Sequence, residues 1–122
     1  MIYKPIIIVP GEPNSIFLEI YFKTIKKNKF RSPLILICSY DLLNLQMKKL
    51  KFNYKINFIN KNENGSNLKN NQINLLNVNY SRKKAFEKIS SKSNIYIKNC
   101  FNLELELIKK GITDKLINGP IS

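Results

Sequence analysis

Apolar residues recur along this chain in two rhythms. Ile2 to Val9 is apolar almost throughout after Lys4, and PLILICS, Pro33 to Ser39, is a second unbroken apolar block. Short continuous runs of this kind predict strands covered on both faces. Between them, Ser15 precedes a stretch in which Ile16 and Ile20, and Phe17 and Tyr21, recur at helical spacing, predicting a helix to Phe30. Asp41 precedes a second such stretch carrying Leu42, Leu45, Met47 and Leu50. YKINFIN, Tyr54 to Asn60, alternates like an edge strand, and INLLNVNY, Ile73 to Tyr80, reads as a fourth strand. The intervening KNENGSNLKNN, Lys61 to Asn71, has almost nothing apolar and predicts a surface loop.

From Ser90 to Lys110 a long helix carries two adjacent stripes, Tyr96, Cys100, Leu103, Leu107 and Ile97, Phe101, Leu105, Ile108, ending at the expected terminator Gly111. Glu104 and Glu106 read as its solvated side. KLINGPIS, Lys115 to Ser122, predicts a last strand running into a Gly-Pro turn. Strands alternating with helices in one 122-residue domain imply right-handed crossovers, hence an α/β, doubly wound, mostly parallel sheet with helices on both faces. In such sheets ligands bind beyond the carboxyl ends of the strands, where PGEPNS and NGPIS both lie. The two turns are therefore candidates to face one crevice.

Composition restrains the functional reading. The formal net charge of +13 suggests nucleic acid, but 19 Lys stand against 2 Arg, beside 19 Ile and 18 Asn, the joint skew of an AT-rich coding sequence. Arg is the better reader of bases and phosphates, and the lysines are dispersed. Lys26, Lys27 and Lys29, Lys48, Lys49 and Lys51, and Lys109 and Lys110 close three predicted helices, where the macrodipole favours cations. This pattern argues against nucleic acid as the partner. No apolar run approaches the roughly 20 residues that span a bilayer, and no signal peptide opens the chain, so no membrane role and a cytoplasmic location are expected. Cys38 and Cys100, far apart with no histidine anywhere, read as core thiols.

Catalytic chemistry is sparse. With no His, and acids limited to Glu12, Glu19, Asp41, Glu63, Glu87, Glu104, Glu106 and Asp114, neither a triad nor a metal cage assembles. PGEPNS is not GxGxxG, and GxxxxGK[ST] is absent. Gly11 and Glu12 keep two readings: a positive-φ turn residue with an exposed carboxylate, or groups placed to bind.

IIIVPGEPNSIFLE resembles the first strand and turn of the 4-hydroxythreonine-4-phosphate dehydrogenase (PdxA) family, which typically runs into TPGEPAGIGPE. Pro10, Gly11, Glu12, Pro13, Ile16 and Glu19 agree along it. SSKSNIYIKNC from Ser90 resembles the family's SAEAG helix start, and DKLINGPIS after Gly111 is similar to DAIVTAPINK or ALITGPVHK, at the same spacing. Asn14, Ser15, Phe17 and Leu18 depart from the flexible GIGP part of the family turn, and Asn118 stands where the family has Thr.

The resemblance implies an isocitrate/isopropylmalate dehydrogenase-like fold, of which residues 1–122 would form the N-terminal part of the first domain. It implies an NAD-dependent, divalent-metal-assisted oxidation of 4-phosphooxy-threonine in vitamin B6 synthesis, performed by a homodimer. The family's metal-binding histidines, substrate-contacting His-Thr pair and phosphate-holding residues all fall after its TGP turn. No catalytic or metal residue is therefore expected here, and this stretch alone is expected to be inactive. Gly11, Glu12, Pro13, Asn118, Gly119 and Pro120 are the candidate cleft-lining residues. The alternatives are a non-catalytic α/β remnant or binding protein, and a small basic nucleic-acid-binding module.

Overall fold

The computed structural model describes residues 4–13, 15–61, 67–69, 71–80, 91–113 and 115–119, the last helix by its backbone alone over 91–93. In chain order the elements are β1 (Ile6–Val9), α1 (Phe17–Lys27), β2 (Leu34–Cys38), α2 (Tyr40–Leu50), β3 (Ile56–Ile59), β4 (Ile73–Asn77), α3 (Ser91–Lys109) and β5 (Lys115–Asn118). All four strand pairings are parallel, in the order β3-β4-β2-β1-β5, so the sheet is wholly parallel. Consecutive residues Ile35 to Cys38 are all buried, as are Ile7 to Val9, which requires cover on both faces. Right-handed crossovers supply it: the steps β1 to β2 and β2 to β3 run one way across the sheet and place α1 and α2 together, while β4 to β5 runs back and places α3 opposite.

The helix ends have local causes. Ser39, not Asp41, caps α2: its Oγ accepts from Leu42 N at 3.2 Å, and Asp41 lies inside the first turn. Helix α1 stops at Lys27 rather than Phe30, because extended Asn28 directs its backbone N and its Nδ2 at the Thr24 carbonyl. Gly111 N bonds Ile108 O and Ile112 N bonds Leu107 O, a Schellman closure of α3 as expected.

Helix phase is where the sequence pattern misleads. Helix α1 buries Leu18, Tyr21 and Phe22 and leaves Ile16 and Ile20 outside, because the Phe22 ring packs among Tyr21, Phe52 and Tyr54. On α3 the buried line is Tyr96, Cys100, Glu104 and Leu107 with Ile97, whereas Leu105 is exposed. Glu104 is thus a core-facing acid rather than a solvated one; Glu106 is exposed and pairs with Lys61. Among the described residues, no helix is long and apolar enough to cross a membrane.

Asn74 shows that the asparagines are more than compositional drift. Buried in β4, it donates to Leu34 O and Lys69 O and accepts from Lys69 N and Asn57 Nδ2, tying the described part of the β3–β4 connection to the sheet. Replacing Asn74 with Ala strands several partly buried partners and should lower unfolding free energy by about 2 kcal/mol, read as a reduced urea midpoint at unchanged slope.

Candidate cleft at the strand ends

Strands β1 and β5 are neighbours, and their register sets Val9 opposite Asn118. The chain leaves both strands at the same level. Gly119 N then donates to Val9 O at 2.7 Å, extending the ladder one step past the strand. A Cβ at residue 119 would collide with the Pro10 carbonyl oxygen and lie 3.0 Å from the Phe17 ring, so only glycine allows the two turns to meet. Gly11 adopts φ 81°, the left-handed conformation that lets the chain reverse between two prolines. Five of the six candidate residues, Gly11, Glu12, Pro13, Asn118 and Gly119, are thereby gathered at the carboxyl ends of adjacent strands. Pro120 lies outside the described residues.

Each turn is braced from a different helix. Gln46, wholly buried on α2, donates from Nε2 to Pro13 O at 3.0 Å, and Ser15 N donates back to Glu12 O at 3.1 Å. Glu12 is itself buried at 6% exposure, so the exposed-carboxylate reading of this turn does not hold. From α3, Glu104 meets the other turn: oriented as its neighbours require, the Asn118 amide nitrogen donates to the two carboxylate oxygens at 2.8 and 3.3 Å. Burial pushes the Glu104 carboxyl above the ordinary glutamate range, and the amide N–H groups pull against that rise by favouring the anion.

Gln46 and Glu104 are the residues that the sequence pattern missed. Both sit at positions of an apolar face, and only a polar residue found in such a face could have signalled them. The same holds for Ser39, whose backbone N donates to Tyr96 Oη at 2.8 Å and whose Oγ donates to Tyr80 O at 3.0 Å. Ser39 and Tyr80 border a hollow of about 240 Å³ between the ends of β2 and β4, with Asn77 and Asn79. There the chain turns toward α2 from one strand and toward α3 from its neighbour, so the hollow sits at a topological switch point. A larger concavity, about 590 Å³, opens at the opposite end of the sheet beside Lys26, Lys29, Phe30 and Tyr54. Its size alone does not make it the site, because it lies away from the strand ends where both turns converge.

Among the described residues, neither an activated thiol nor a metal cage is found. Burial pushes the Cys100 thiol up to about 12 and Cys38 well above its ordinary value, so both remain neutral core thiols, as expected. Among the described residues no three His, Cys, Asp or Glu side chains cluster to hold a metal ion, so this part of the chain does not fit a resident metal.

No protein-family model matches the chain, and no curated protein matches its sequence. Solved structures do. A 4-hydroxythreonine-4-phosphate dehydrogenase from Burkholderia phymatum superposes on 100% of this chain with TM-score 0.81 at 15% identity. A Salmonella typhimurium protein given the same enzyme name superposes on 98% with TM-score 0.81 at 21% identity. The chain spans 38% of the length of each. At these identities the likeness establishes the fold, which is the α/β arrangement that the sequence resemblance implied.

Glu104 generates a pH prediction. A carboxyl whose folded-state pKa is raised contributes most to stability while neutral, below the ordinary range, and that contribution is lost as pH rises through the raised value. As pH rises from the ordinary glutamate range upward, unfolding free energy should therefore fall relative to a Glu104→Gln variant, measured by denaturation at a series of pH values. A constant difference would show that burial does not dominate this group.

Proposed function

We propose that this chain is the N-terminal portion of an NAD-dependent 4-hydroxythreonine-4-phosphate dehydrogenase that acts on 4-phosphooxy-L-threonine in vitamin B6 synthesis, as a cytoplasmic homodimer. One observation carries the reading: the chain superposes over 100% and 98% of its length on two proteins of that name while the PGEP and NGP turns, where the sequence resemblance is densest, lie side by side at the strand ends. Fold and motif are separate grounds for the same reading.

In this reading the chain contributes one wall of a cleft. Gly11 and Gly119 let backbone approach closely, Pro10 and Pro13 stiffen the first turn, and Asn118 offers an amide held from behind by Glu104. NAD, when bound, supplies the hydride acceptor for oxidation of the secondary alcohol to a 3-oxo acid, which then loses its carboxylate as carbon dioxide. A divalent metal is part of the family chemistry, but the described residues give it no seat, so its ligands and the reacting groups belong to residues other than these. The wall orients and excludes water; it moves no proton itself.

The test compares two polypeptides. The 122-residue chain should produce no NADH from 4-phosphooxy-L-threonine, whereas the protein encoded by a reading frame continuing past Ser122 into histidine-containing motifs should produce NADH and carbon dioxide together. A stop codon directly after Ser122, or an inert extended protein, would instead support a non-catalytic α/β protein.

A further inference from the structure

Tyr21 carries a hydroxyl that the fold does not use. The residue is 7% exposed, and its ring packs against Phe22 with centroids 5.8 Å apart. Among the described residues nothing hydrogen-bonds its Oη, whereas the Tyr54 hydroxyl donates to Phe22 O at 3.0 Å. A phenylalanine would fill the same core position without leaving a bond unmade. The oxygen is not sealed in: Tyr21 lines the concavity of about 590 Å³ at the end of the sheet opposite the paired turns. Burial pushes its pKa above the ordinary tyrosine value, so the group stays protonated and keeps a hydrogen to donate.

The charged part of the lining has one sign. Lys26, Lys27, Lys29 and Lys69 contribute to it, and no Asp or Glu does. None of these lysines is in an ion pair among the described residues, although Lys26 Nζ stands 5.9 Å from the centroid of the Phe52 ring. The C-terminus of α1 opposes an anion here with roughly half a negative charge, which several ammonium groups outweigh. Lysines bind phosphate as point charges and need no fork geometry to do so. Phe30, at 39% exposure, and Tyr54 add ring surface beside them, and the volume is that of a small-molecule site, roughly 300–1,000 Å³. We propose that this concavity is a separate binding site for a small phosphomonoester carrying a planar ring: the lysines hold the phosphate, the ring lies on Phe30, and the Tyr21 hydroxyl donates to the ligand. The site is independent of the dehydrogenase reading, and its test needs no turnover.

Titration of the 122-residue chain with adenosine 5′-monophosphate, followed by NMR, should give saturable shifts at Tyr21, Lys29 and Phe30 with Kd below about 1 mM. Adenosine and inorganic phosphate, tested separately, should each bind at least about tenfold more weakly. Tyr21→Phe should weaken the nucleotide about tenfold without lowering the thermal midpoint, because the hydroxyl serves no partner in the fold. Lys27→Gln combined with Lys29→Gln, both exposed, should weaken it by a similar factor and flatten its salt dependence. No saturation, phosphate bound as tightly as the nucleotide, or undiminished affinity in either variant overturns the proposal. A lowered midpoint in Tyr21→Phe overturns the role given to the hydroxyl. A single-stranded oligonucleotide that displaces the nucleotide and binds Tyr21→Phe as tightly as the wild type would assign the lysines to nucleic acid instead.

Discussion

The contact on which the arrangement of the two turns depends is between two stretches of backbone, Val9–Pro10 and Asn118–Gly119. Pairing β1 with β5 in parallel register brings the ends of both strands level, and the Gly119 N–H to Val9 carbonyl bond carries the pairing into the turns. That approach leaves no room for a side chain at residue 119. The tolerance is set by backbone against backbone, which no rotamer change can relieve. That closeness is what sets the two turns side by side.

Backbone contact fixes distance, and side chains then fix direction. Gln46 reaches the PGEP turn from α2 and Glu104 reaches the NGP turn from α3, so each turn is held from one side of the sheet. Both braces bury polar groups that a purely apolar core would exclude, and both are matched to partners in the opposing turn. The cost in stability yields a rigid wall at the strand ends. Such preorganisation is what a binding cleft requires.

Much of this fold was legible in the sequence because buried parallel strands are continuous apolar runs: IIIV and LILIC admit little else between turn residues. The turns were legible from their Pro and Gly residues, and their placement at strand carboxyl ends followed from the alternation of elements. Helix phase was not. In α3, apolar residues at 95, 96, 97, 100, 101, 103, 105, 107 and 108 nearly encircle the helix, and only its packing against β1 and β2 selects the face that contains Glu104. Asn74 was hidden among 18 asparagines for a similar reason: its four hydrogen bonds join segments that come together only when the sheet forms. The adjacency of the two turns needed the strand order, which composition and spacing do not supply.

Amide hydrogen exchange at Gly119 tests the central contact most directly. It reads one N–H whose protection depends on Val9 and on nothing catalytic. The account predicts that Gly119 exchanges as slowly as the amides within β5, and that Gly119→Ala removes the equivalent protection while β2 and β4 amides keep theirs. Free exchange of Gly119 in the wild-type chain would contradict it, because the two turns would then not meet.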